Sequence, residues 1–161
     1  MGFKFLDHAE EIPKAWYDDG VVTFSIGTDR SDGRPNKVKR TLKKLQRKTG
    51  IRFQEVDEGG EINVNFTDEI IGLSGKPISG LATWDRLDCG GLHSNIFVDE
   101  DFYTWRTTMV HELGHAMGLA HNHEVTNSIM SYNRDYFSKE SKFFYDLDIA
   151  AIEDLWGQFL N

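Results

Sequence analysis

The segment HELGHAMGLAH, from His111 to His121, sets three histidines and one glutamate at fixed intervals. On a helix, His111 and His115 lie four residues apart, so both rings leave one face a turn apart. Glu112 leaves the same turn and can reach a water held there without being a ligand itself. Gly118 has no Cβ, so it can adopt positive φ, end the helix at once and let His121 return to the same point. A catalytic zinc ion requires such a set: neutral imidazoles converging on one position, with a fourth position open for water. A bare HExxH could equally be a solvated helix face that binds no metal. The third histidine, the glycine before it and Met130 nine residues after His121 together favour the zinc site. Zinc lowers the pKa of water from about 15.7 to near 7, and Glu112 is the expected general base. Each imidazole must keep one nitrogen deprotonated, so activity should fall as pH drops through the histidine range.

HELGHAMGLAH followed by SIMSY resembles the metzincin zinc endopeptidases, in which a methionine-containing turn underlies the zinc. The order of the segments IRFQEV, EINVNF, GLATWD and NIFVDED is similar to that of matrixin catalytic domains. The tail YDLDIAAIEDLWG is close to the C-terminal helix of matrixins and serralysins. The resemblance covers residues 21–157. It implies a zincin architecture with an active-site cleft, a packing role for Met130, and an acidic residue at Asp148 that bonds beneath the site to backbone or to an N-terminal amine. It also implies that Gly80, Leu81, Ala82 and Thr83 form an upper-rim strand pairing with an extended peptide. In astacins and serralysins a tyrosine two places after the methionine can join the zinc and then stabilise the oxyanion. Most matrixins carry another residue there. Tyr132 fits the first pattern, whereas the His121-to-Met130 spacing is nearer the matrixin one. A transition-state role for Tyr132 and a plain wall role both stay open. Asn133–Tyr136 are expected to wall the specificity pocket.

The elements that must position these groups are legible from periodicity. Residues 21–26 are β-branched and aromatic, hence a strand. A turn-rich loop, TDRSDGRPN, leads into a basic helix, KVKRTLKKLQRK, whose Val38, Leu42 and Leu45 form one narrow apolar stripe and which Gly50 closes. A solvated cationic face is the expectation there, with docking to an anionic partner as the alternative. Residues 51–56, 61–66, 80–84 and 95–98 read as further strands, and 68–79 as a glycine-rich loop. The active-site helix is expected over 101–118 and a last helix over 146–156, where Ile149, Ile152, Leu155 and Trp156 recur at helical spacing. The fold class is α/β (α+β): a mixed, mostly parallel twisted sheet with two main helices and a C-terminal helix, the basic helix crossing between the first two strands.

The 161 residues are expected to form a single catalytic domain. A net charge of −8 argues against nucleic acid as a partner, and no apolar run approaches a membrane span. The first residues lack the features of an export signal, so the compartment stays open between a cytoplasmic or phage-associated protein and one whose leader has been removed. A monomer acting on protein or peptide substrates is expected. Cys89 is the one cysteine, which excludes an intramolecular disulfide and leaves a loop thiol. The latency cysteine of matrixins lies in a PRCG-like motif that is absent from this sequence.

His93 falls where matrixins place a structural-zinc histidine, but residues 68–88 offer no histidine to complete such a site. His123 is expected as a solvated side chain, with a substrate-facing role as the alternative. Asp99, Glu100 and Asp101 could offer oxygens to calcium, although no clear calcium motif is present and a solvated acidic turn is the expectation. A zinc-dependent endopeptidase is the leading function. A catalytically idle zinc-binding interaction module and a metal-dependent hydrolase of non-peptide bonds are the alternatives, and the intact Glu112 speaks against the idle module.

Overall fold

A computed structural model describes residues 3–17, 19–27, 33–88, 91–132 and 143–160. Cys89 and Asn133–Tyr136 lie outside the described residues. The elements run α1 (Glu11–Trp16), β1 (Val22–Ile26), α2 (Arg34–Thr49), β2 (Phe53–Glu55), β3 (Ile62–Thr67), β4 (Ile70–Ile71), β5 (Pro77–Ile78), β6 (Gly80–Arg86), β7 (Leu92–Asp99), α3 (Trp105–Ala116), α4 (Asp146–Trp156) and a closing 3₁₀ turn. Five strands form one sheet in the order β2-β1-β3-β7-β6. The first three pairings are parallel, and β6 joins β7 antiparallel. The mixed, mostly parallel sheet expected from the sequence is therefore present, with α2 crossing between β1 and β2.

Alternation decides which face of the sheet is dry. Ile62, Val64 and Phe66 of β3, and Leu92, Ile96 and Val98 of β7, are buried on one side with Ser94. Their neighbours Asn63, Asn65, His93 and Asn95 are only half-buried on the other. The dry face receives α3, whose Met109, Val110, Leu113 and Ala116 are buried, and α2, which buries Val38, Leu42 and Leu45 as its apolar stripe requires. Pro35 sits in the first turn of α2, where its missing N–H costs nothing, and Gly50 ends the helix at φ 83°. Among the described residues no helix is long and apolar enough to cross a membrane.

Two features exceed the sequence expectation. Residues 68–79, expected as a loop, contain the short antiparallel β4–β5 pair. The short α1, absent from the expected helices, has no periodicity long enough to read. It forms because Ile12 and Trp16 are buried, Trp16 stacking on Trp84 at 5.7 Å and donating from Nε1 to the Leu92 carbonyl at 2.6 Å.

Gly118 ends α3 at φ 106°, beyond the ordinary left-handed region. Leu119 N–H donates to the Gly114 carbonyl and Gly118 N–H to the His115 carbonyl, both at 2.9 Å, the pair of bonds that closes a Schellman motif. A Cβ at Gly118 would lie 2.5 Å from Leu155 Cδ2 on α4. Gly118→Ala should therefore destabilise the protein by roughly 2–4 kcal/mol, combining backbone strain with overpacking, and lower Tm by on the order of 10 °C. Thermal unfolding measures this, and an unchanged Tm would show that the helix end tolerates a side chain.

Candidate metal centre

All three motif histidines come together. His111 and His115 project from α3, and the chain after Gly118 returns His121 to them. The segment before α1 pins this return: Ala120 N–H donates to the Lys4 carbonyl at 3.0 Å, and Leu6 N–H to the Gly118 carbonyl at 2.9 Å. His121 Nε2 lies 3.2 Å from the Nε2 atoms of both His111 and His115. The three can hold a metal ion as one cluster.

The second ring nitrogens fix what those Nε2 atoms are. His111 Nδ1 lies 2.8 Å from the Ile129 carbonyl, and His115 Nδ1 2.8 Å from the Leu119 carbonyl. A carbonyl only accepts, so each Nδ1 carries the proton and each Nε2 presents a lone pair. His121 has at most one Nε2 proton and cannot satisfy both neighbours. Two nitrogens bound tetrahedrally to one zinc at about 2.05 Å lie roughly 3.3 Å apart, close to the spacing found here. The donor set therefore fits a zinc ion. Burial lowers the pKa of His115, opposed by its bond to the Leu119 carbonyl. His121 is held down to about 4 by burial first, then by its neighbours His115 and His123. Both rings are thus neutral at pH 7, the form that binds metal.

Glu112 is buried beside the histidines, and burial pushes its pKa up to about 7. It stands against the start of β6: a Cβ at Gly80 would meet Glu112 Oε1 at 3.0 Å and Thr108 Cγ2 at 2.4 Å. Only glycine lets this strand approach α3 so closely. Gly80, Leu81, Ala82 and Thr83 lie on β6, at the edge of the sheet, with Leu81 exposed.

Met130 is buried, and a Cβ at Gly114 on α3 would strike its sulfur at 2.5 Å. The turn that carries it hangs on Asp148, which is also buried. One carboxylate oxygen accepts from Ser128 Oγ at 2.5 Å. The other accepts from the Ile129 N–H at 2.8 Å and from the Tyr145 N–H at 2.9 Å. Asp148 thus caps α4 and fixes the turn whose Ile129 carbonyl orients His111. Of the two partners that the matrixin resemblance implies, the backbone one is observed.

The Tyr132 hydroxyl lies 3.3 Å from His121 Nε2. Its placement involves a residue that the sequence did not single out for this task. His123 Nδ1 accepts the Tyr132 N–H at 3.1 Å, and the two rings stack at 4.8 Å. The signal was present only as the adjacency of a fourth histidine, and nothing in spacing says which ring it will meet. His93 stands on β7 opposite Asp85. The acidic trio near residue 100 is redrawn: Asp68, Glu100 and Asp101 converge, while Asp99 Oδ1 accepts the Asp101 N–H at 3.0 Å and closes its own turn.

Asp148→Ala should cost roughly 3–5 kcal/mol, because two buried donors and the half-buried Tyr145 N–H lose a charged acceptor. Zinc affinity should fall with it, since His111 loses the support of its carbonyl. Chemical denaturation and competitive zinc titration measure the two effects. Wild-type values for both would show that the Met130 turn holds itself.

The model of the matrixin peptidase family matches residues 86–157, just under half of the chain and including both HELGHAMGLAH and Met130. No curated protein sequence matches. Over β7, α3, the Met130 turn and α4, the chain is similar to matrixins.

Proposed function

We propose that the protein is a zinc-dependent endopeptidase of metzincin architecture, with one zinc ion held by His111, His115 and His121. The observation that carries this reading is the convergence of carbonyl-tethered Nε2 lone pairs 3.2 Å from the third Nε2, beside a buried carboxylate. The matrixin match over residues 86–157 supports the peptide bond as substrate. Zinc at this position supplies a Lewis acid for the scissile carbonyl and an acidified water as nucleophile.

The chain's own residues do the rest. Glu112 takes the proton of the attacking water and delivers it to the departing amine. The Tyr132 hydroxyl can donate to the carbonyl oxygen as negative charge develops there. Gly80, Leu81, Ala82 and Thr83 offer main-chain partners to an extended peptide, and the contact between Gly80 and Glu112 brings that peptide to the base.

Glu112→Ala should retain the fold and one zinc per chain while losing about 10²–10⁴ in turnover. Mass spectrometry of a mixed peptide library, with and without a chelator, reads cleavage, and elemental analysis reads the metal. Cleavage that ignores both the chelator and the substitution would overturn the proposal. Stoichiometric zinc with no cleavage by the wild-type protein would favour the idle binding module.

Tyr132→Phe removes one hydroxyl and keeps the ring that stacks on His123. If the hydroxyl serves the oxyanion, kcat should drop by about 10²–10³ with KM little changed. Zinc content is measured in parallel, because a hydroxyl that contacts the metal would alter affinity too. A loss below about tenfold with unchanged zinc would reduce Tyr132 to a wall of the cleft.

A further inference from the structure

Between α2 and α3, on the side of α3 away from β6, lies a cavity of about 390 Å³ lined by Lys37, Arg40, Lys44, Arg106, Met109 and Phe143. Lys37, Arg40 and Lys44 follow one another at intervals of three and four along α2, so they share a face of the helix. Arg106 meets them from the first turn of α3. None of the four makes an ion pair among the described residues, although Lys39 on another face of α2 pairs with Glu55. Among the described residues Arg106 Nε, shielded from solvent, has no hydrogen-bond partner.

Four cations facing one cavity repel each other, and in a chain of net charge −8 their grouping does not follow from composition. Two of them are held by aromatic rings. Lys44 Nζ stands 4.2 Å from the Phe143 ring centroid, and the Arg106 guanidinium 5.4 Å from that of Trp105. The floor is apolar, made by the buried Met109 and by Phe143. A volume of about 390 Å³ is within the range of small-molecule sites and larger than a bare inorganic oxyanion fills. Concave shape, apolar floor and converging cations describe a receptor for one ligand class.

We propose that this cavity binds a small organic anion bearing several phosphate- or sulfate-type groups on an apolar body. The anionic groups meet Lys37, Arg40, Lys44 and Arg106, with the Arg106 fork offering parallel N–H donors, and the apolar body lies on Met109 and Phe143. The site is separate from the metal centre and independent of the chemistry proposed there.

The test uses naphthalene trisulfonate, an anion with an aromatic body and little affinity for zinc, titrated calorimetrically into the whole chain. Saturable one-to-one binding that weakens with added salt is expected, and naphthalene monosulfonate should bind at least about tenfold more weakly. Arg40→Ala with Lys44→Ala, two exposed positions, should weaken trisulfonate binding by at least about tenfold. Lys43→Ala with Lys48→Ala removes the same charge from elsewhere on α2 and should change it less than about twofold. Equal losses in the two double variants would reduce the effect to the general field of a basic helix and overturn the proposal. So would the absence of saturable binding by the wild-type chain.

Discussion

Three imidazole nitrogens cannot be brought to one point without opposing their own electrostatics. The Nε2 lone pairs of His111 and His115 both face His121 Nε2 at 3.2 Å, and a single Nε2 proton there cannot satisfy both. Two backbone carbonyls, of Ile129 and Leu119, take the outer protons of His111 and His115 and fix both tautomers. Each carbonyl is itself fixed: Leu119 by the end of α3 and the antiparallel bridge to Phe5, Ile129 by Asp148. The stability of the fold and the readiness of the site therefore depend on the same few bonds. A cation between the nitrogens would turn that conflict into coordination and would couple metal binding to local stability.

Glu112 illustrates a second use of burial. A carboxylate in water would be ionised near pH 4 and a weak base at neutrality. Shut between α3 and β6, its pKa rises to about 7. The feature that shuts it in is the absence of a side chain at Gly80, which allows the strand to close on the helix. The residue that brings the edge strand near Glu112 thus also helps to bury its carboxyl. Tyr132 is placed by the same economy: its backbone is tied to His123 and its ring stacked there, with the hydroxyl 3.3 Å from His121 Nε2.

The two sides of α3 divide the molecule chemically. Toward β6 lie the neutral histidines and the buried acid. Away from it, cations from α2 and Arg106 gather over an apolar floor that includes Met109, two residues before His111. Any ligand on that side would touch the helix that carries His111 and His115.

Much of the candidate metal centre was legible in the sequence because its geometry is local. The i, i+4 spacing of His111 and His115 and the positive φ demanded at Gly118 follow from helix geometry and sterics alone. The alternation of Ile62, Val64 and Phe66 and the stripe of Val38, Leu42 and Leu45 likewise announced which faces would be buried. Contacts between residues far apart in the chain were not legible. Periodicity in β3 and β7 does not say that they pair in parallel, or that β6 joins them antiparallel at the edge. Helix α1 is too short to carry a period and exists only because Trp16 finds Leu92 and Trp84. No spacing rule links Asp148 to Ile129, His123 to Tyr132, or Arg106 to Lys37, Arg40 and Lys44. The sequence determined which residues can bind metal and which faces are apolar, because those properties belong to side chains and single elements. Tertiary structure decided which carbonyl orients each histidine, how deeply Glu112 is buried and where the cations meet, because those depend on how separate elements pack.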